Sequence, residues 1–227
     1  MNRRLFLSSM AAAGALPGTD SQRELLLPSD TPDEMGFRLM WYSPVPAMDP
    51  KTFALKIAGL VDSPQTLTLD QIRRLPHEKQ NSRMKCVQCW SSRTEWGGFR
   101  FGHLMEMVKP KKTAHAIRLD CADKWYEYFN LDEVLSPRVL FATHMAGKPL
   151  ADRHGAPLRL IDPARYGYKS AKLITSITFV EEGKGSMACD LGPYYSPTGE
   201  IQAGYDHPLD LGEKVRRKID GGEIVGY

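Results

Sequence analysis

The stretch Arg83-Met84-Lys85-Cys86-Val87-Gln88-Cys89-Trp90-Ser91, followed by Trp96-Gly97-Gly98-Phe99, holds two of the four cysteines of the chain. A structural zinc site would need a second close ligand pair, and the sequence after Cys89 supplies only His103, at a spacing no zinc finger uses. A thioredoxin-like dithiol opens a helix after a short buried strand. Here polar Asn81, Ser82, Arg83 and Lys85 precede the pair, and Trp90, Trp96, Gly97 and Gly98 follow it. Cys86 is then either a buried structural thiol or a metal-ligating thiolate. Arg83 and Lys85 flank it, and neighbouring cations bias a thiol towards the deprotonated form that ligates. Cys121 and Cys189 stand alone and far off, which does not suit a simple framework of disulfide staples.

Outward from this stretch the chain reads as strand-rich, with irregular loops. Residues 52–58 alternate apolar and polar in the period of a half-buried strand, ended by Gly59. Residues 66–75 read as a short strand edge and then a helix, capped by Thr68 or Asp70 and stopped before Pro76. A second short helix is expected over 101–108 and a helical turn over 131–135. Strands are expected over 116–121, 126–130, 157–161 and 172–180. Residues 20–50 carry five prolines and read as loop, and 183–204 is too long for a mere connection. The fold class is α+β, one mixed domain.

At 227 residues the chain can bury one sizeable core, and it is too short to add haem and flavin modules of its own. Its 42% apolar, 9% aromatic and 25% charged residues are a globular composition. Net charge is +3, two of it from Arg3 and Arg4, so nothing argues for nucleic acid as a partner. Residues 1–18, MNRRLFLSSMAAAGALPG, pair two arginines with an uncharged apolar run too short to span a bilayer, the pattern of a signal peptide. Arg3-Arg4-Leu5-Phe6-Leu7 resembles the twin-arginine type, which exports folded, cofactor-loaded proteins; an ordinary Sec signal is the alternative. The expected organisation is a signal peptide over 1–18 and one domain over 19–227, exported to the periplasm or beyond.

A second motif lies far from the first: His154-Gly155-Ala156-Pro157-Leu158-Arg159-Leu160, followed by Tyr166-Gly167-Tyr168-Lys169-Ser170-Ala171-Lys172. Together the two resemble the molybdopterin-binding domain of the sulfite oxidase superfamily, most of all its short bacterial exported members of the periplasmic methionine sulfoxide reductase type. The pieces between keep the order too: Ile57-Ala58-Gly59-Leu60-Val61, Ala146-Gly147-Lys148-Pro149-Leu150 and Tyr205-Asp206-His207-Pro208. The resemblance implies a single-pterin molybdenum cofactor with Cys86 as metal ligand and catalytic centre. It places His154 and Arg159 against the pterin, and sets Cys121 where a small hydroxyl residue is common near the metal. Tyr42 falls in the early loop that lines the cofactor in relatives, although the usual Arg and His are missing there. The pterin ends in a phosphate, which needs backbone N–H groups and cations on a glycine-containing turn. Gly167, Tyr168, Lys169, Ser170 and Lys172 form that expected cradle, with both lysines at a solvated strand end.

Sulfite-oxidising relatives carry an arginine about five residues after the metal cysteine, a charge match for an anionic substrate. Here position 91 is Ser, and only Arg93 or Arg100 stands near enough in sequence to substitute. The expected activity is therefore oxygen-atom transfer, the reduction of an S-oxide or N-oxide. Residue 90 is Trp, so Cys86 and Cys89 do not begin a Cys-x-x-Cys-His haem motif, and electrons are expected from a separate haem protein. Two alternatives stay open: a sulfite dehydrogenase of the same family, and an exported thiol module with Cys86 and Cys89 in a disulfide. The chain is expected to be a monomer.

Overall fold

The computed structural model describes residues 25–26, 31–88, 90–192, 195–207 and 215–226. The expected signal peptide and Cys89 lie outside the described residues. In chain order the elements are β1 (Leu25–Leu26), β2 (Val45–Pro46), β3 (Ala54–Gly59), β4 (Gln65–Thr68), α1 (Leu69–Arg73), β5 (Glu78–Lys85), β6 (Ser91–Phe99), α2 (Gly102–Val108), β7 (Ala116–Cys121), β8 (Tyr126–Asn130) and α3 (Leu131–Val134). There follow β9 (Leu140–Met145), β10 (Lys148–Pro149), β11 (Arg159–Ile161), β12 (Ile174–Val180), α4 (Met187–Leu191), β13 (Gly204–Asp206) and β14 (Arg217–Ile219). The α+β expectation holds, with strands outweighing helices.

One sheet runs β4-β3-β12-β7-β8 and the other β10-β9-β6-β5, with β11 also paired to β9. In the first, β3 buries Leu55 and Ile57 and turns Ala54 and Lys56 outward, the alternation read from sequence. Its neighbour β12 lies parallel to it, and the other ladders of that sheet are antiparallel. Helix α1 starts at Thr68 because Thr68 Oγ1 accepts the Gln71 N–H at 3.3 Å while Gln71 Oε1 accepts the Thr68 N–H at 2.8 Å. Helix α2 stops at Lys109, which turns into the left-handed region before Pro110.

Between the sheets, Phe99, Phe141, Phe101 and Phe179 stack in a ladder with ring centroids 5.5 to 5.7 Å apart. Strand β9 is buried on both faces. Phe141 points into this core, while Leu140 and Ala142 point to a second one made with Phe37, Met84, Trp90 and Trp96. Strand β6 carries a bulge at Gly97/Gly98, where a Cβ on Gly98 would sit 2.0 Å from the Phe141 carbonyl oxygen; only glycine lets β6 and β9 approach so closely. The sequence signals no strand over β5, β6 or β9, and these three build the sheet that carries the cysteine.

Candidate active site

Cys86 follows the last residue of β5. Its N–H donates to the Trp90 carbonyl at 2.9 Å, which closes the loop, and the Gln88 N–H points at its sulfur at 3.5 Å. The thiol is half-buried against the second core. It opens onto two adjoining cavities, of about 440 and 90 Å³, that share Met40, Cys86, Gly167, Tyr168, Ser170 and Lys172. Tyr42, Asp123 and Trp125 complete one wall of the larger; His154, Arg159 and Trp90 line the smaller. The two sequence motifs, far apart in the chain, therefore converge on one site.

Arg38, Arg159 and Lys172 bring positive charge to the two cavities, and Arg159 and Lys172 have no carboxylate at ion-pair distance among the described residues. The Arg159 guanidinium is buried, donates to the His154 carbonyl at 2.9 Å and lies 5.0 Å over the Trp96 ring. Its Nε has no hydrogen-bond partner and no carboxylate pairs with it among the described residues. Burial lowers its pKa to about 9, so it stays charged at neutral pH. Lys172 holds its ammonium 3.8 Å over the Trp41 ring and donates to the Met40 carbonyl. Burial, then the nearby Arg159 charge, lower its pKa to about 7. A cation taken out of water without a partner is costly, so this floor fits an anion.

Several predicted residues stand elsewhere. Lys169 is no solvated strand end: it is buried, and its ammonium donates to Glu127 Oε2 at 2.6 Å, the Tyr128 carbonyl at 3.0 Å and the Pro197 carbonyl at 3.1 Å. All three of its protons are used, and none is left for a phosphate. Cys121 ends β7 in the core between the sheets and lines neither cavity; burial pushes its thiol well above the usual range. Ser170 Oγ accepts the Asp162 N–H at 3.2 Å, and Tyr168 donates its hydroxyl to the Ser196 carbonyl at 2.8 Å, so both hold the turn over 167–169 against the site.

Arg83 and Lys85 alternate with Met84 and Cys86 along β5 and so point to the other face, where both close on Asp206 from β13. Burial alone would raise the Asp206 carboxyl, but hydrogen bonds from Lys85 and Arg83 bring it below its ordinary value. The flanking cations are thus largely compensated there rather than aimed at the thiol. Arg93 donates to the carbonyls of Ile224 and Val225, and Arg100 to Glu78, Gln80 and the Val139 carbonyl; neither lines a cavity. Sequence reasoning missed Asp123 and Trp125. Asp123 Oδ2 accepts the Tyr42 N–H at 3.2 Å, which ties the early loop to the β7–β8 turn, and Asp-Lys-Trp at a turn was the available signal.

The model of the oxidoreductase molybdopterin binding domain matches residues 42–188, which include most of this site and leave out the early loop before Tyr42 at one end and Leu191 and Tyr195 at the other. The chain belongs to that family. The orphaned Arg159 Nε, the uncompensated Arg159 and Lys172 cations and the Cys86 thiol, all on one cavity system, fit the anionic, metal-bearing pterin for which the family is named. Relatives within the family include the protein-methionine-sulfoxide reductase catalytic subunit MsrP of Xanthomonas campestris, 31% identical over 186 residues that cover 74% of this chain and 58% of the relative. MsrP of Campylobacter jejuni is 32% identical over 176 residues, covering 70% and 59%. The chain thus matches less than two thirds of the length of these relatives. In three dimensions it resembles the sulfane dehydrogenase SoxCD of Paracoccus pantotrophus, with TM-score 0.58 and 17% identity over 77% of this chain and 46% of that one, a likeness of fold.

Proposed function

We propose that this chain is the catalytic part of an exported molybdenum oxidoreductase that reduces a neutral sulfoxide, with methionine sulfoxide as the leading substrate. The reaction balances as sulfoxide plus two electrons and two protons giving thioether and water. A bound single-pterin molybdenum centre would supply the oxygen-atom acceptor. Cys86 would ligate the metal, Arg159 and Lys172 would hold the cofactor's anionic groups, and the Tyr42–Trp125 wall would exclude water from the substrate side.

The observation that carries this reading is the rim of the larger cavity. Met40, Tyr42, Val87, Trp125 and Leu191 surround it with apolar and aromatic surface, and among the described residues no arginine lines it. Arg93 and Arg100, the sequence candidates for gripping an anionic substrate, are engaged elsewhere. Such a rim suits a neutral S-oxide better than sulfite. The names of the MsrP relatives support the same substrate class. Electrons would come from a separate haem protein, the chain would act as a monomer, and residues 1–18 would direct export of the 19–227 domain through the twin-arginine route.

The test is turnover of methionine sulfoxide against sulfite by the full chain produced with molybdate, using artificial electron donors and acceptors. Sulfoxide reduction that disappears in Cys86→Ser, with about one molybdenum per chain in the wild type, is the expected result. Sulfite oxidation without sulfoxide reduction would overturn the substrate, and full activity in Cys86→Ser would overturn the metal ligand. Replacing Arg3 and Arg4 by Lys should leave loaded protein in the cytoplasm; unchanged export would point to Sec.

A further inference from the structure

We propose that Met40 is an oxidation site of this chain and that its sulfoxide is a substrate of the chain's own active site, reduced in cis. The inference rests on the sulfoxide-reductase reading of the cavity and adds to it a modification site outside the stretch matched by the family model, residues 42–188.

Among the described methionines only Met35 and Met40 are exposed, at 36% and 44%, whereas Met84 and Met145 are buried. An exposed thioether is the one that aqueous peroxide reaches first. The two exposed methionines differ in what surrounds them. Met40 lines both cavities beside Cys86; Met35 lines neither, and its sulfur faces the Thr94 hydroxyl at 3.9 Å.

The main chain under Met40 is fixed while its side chain is not. The Met40 carbonyl accepts from the Lys172 ammonium, and two residues on, the Tyr42 N–H donates to Asp123 Oδ2 at 3.2 Å. An unbranched side chain with three rotatable bonds stands on this anchored segment and can turn between solvent and cavity. The thioether gains little by turning in. A sulfoxide gains more, because its oxygen is an acceptor and the cavity holds donors for it. The Lys172 ammonium has three protons and spends one on the Met40 carbonyl. Trp41, which lines the larger cavity, has a buried Nε1–H with no hydrogen-bond partner among the described residues.

The cycle balances. Hydrogen peroxide transfers one oxygen atom to the Met40 sulfur and leaves as water, which oxidises the sulfur by two electrons. In the return step the S–O bond breaks, two electrons from the separate donor and two protons are taken up, and the oxygen leaves as water with the thioether restored. Tethering sets the effective concentration of this substrate on the order of mM, so at micromolar protein the cis reaction outruns the same reaction between chains.

The first measurement uses limited hydrogen peroxide on the full chain, loaded and cofactor-free, without an electron donor. Peptide masses should show oxygen added at Met35 and Met40 well before Met84 and Met145. The loaded chain, oxidised in this way and freed of peroxide, is then given a reduced viologen. Met40 sulfoxide should fall by half or more, since peroxide makes both sulfur epimers and a chiral site takes at least one. Its rate should stay the same over a tenfold dilution of the protein, while any loss of Met35 sulfoxide slows with dilution. Oxidised Cys86→Ser chains mixed with loaded wild type should lose their Met40 sulfoxide about tenfold or more slowly than the wild type loses its own.

A Met40 that takes up oxygen no faster than Met84 overturns the oxidation site. Met40 sulfoxide that persists under reduced viologen, or falls at a rate proportional to protein concentration, overturns reduction in cis. Loaded wild type that leaves free methionine sulfoxide untouched overturns the reductase reading and the cis reaction with it. That failure is told apart from a failure at Met40 by the oxidation pattern without an electron donor, which needs no turnover.

Discussion

The Lys169 ammonium lies 2.6 Å from Glu127 Oε2, with no more than 2% of either side chain exposed. Glu127 also accepts from Ser186 Oγ at 2.8 Å and Trp125 Nε1 at 3.1 Å, so this one carboxylate joins β8, the 167–169 turn, the start of α4 and a cavity-lining tryptophan. Removing one member of a buried ion pair strands the other, at a cost of about 3–5 kcal/mol. Lys169→Met should therefore lower the unfolding free energy by that amount in urea titration. Lys184→Ala, at an exposed 3.4 Å pair with Glu182, should change it little.

Asp206→Asn should act in the same way from the back of the site. It leaves Arg83 and Lys85 buried without their carboxylate, and we expect a loss of about 3–5 kcal/mol in the same titration. The loosened end of β5 also carries Cys86, so molybdenum content per folded chain should fall alongside.

These two networks mark where sequence reading stopped. Strand β3 was legible because one face is apolar and the period is two, and β7, β8 and β12 from their short apolar or aromatic runs. The start of α1 was legible from its Thr68 cap. Strand β5 was not, since Gln80, Ser82, Arg83 and Lys85 look like a solvated loop until their distant partners Arg138, Ser91 and Asp206 are known. Lys169 failed for the same reason, as its partner lies on another strand. The cavity itself was better read: Cys86, Tyr42, His154, Arg159, Gly167, Tyr168, Ser170 and Lys172 all line it.

Lys172 gives a pH signature. Its folded pKa of about 7 lies below the ordinary lysine value of 10.5, so between the two the unfolded chain holds a proton that the folded chain lacks. Stability of the cofactor-free chain should therefore rise with pH above about 7, and below that the contribution is flat. Urea unfolding at a series of pH values between about 7 and 9 reads the slope, which Lys172→Met should reduce. A bound anion should restore the lysine proton and flatten the slope as well.

Arg159→Met separates holding a ligand from holding the fold. The uncompensated guanidinium weighs against the empty chain, so an apolar side chain of similar length should leave cofactor-free stability equal or higher, although the bond to the His154 carbonyl is lost. Molybdenum content should fall by about tenfold or more. Thermal unfolding of the empty protein beside metal analysis of the loaded one checks both halves.

The parallel pairing of β3 with β12 sets when such a site can exist at all. Lys56 finds Ser176 in register, and the same β12 ladder continues into β7, so the middle of this sheet stays open until nearly four fifths of the sequence has left the ribosome. Contacts between such distant segments are slow to form, because the intervening loop must close before they stabilise anything. Lys172 enters just ahead of β12, and its main-chain neighbour Leu173 is anchored by accepting from Ala122 at 3.0 Å. The pocket is thus completed late in folding, and a nascent chain has no formed cavity in which to take up a ligand during most of its synthesis.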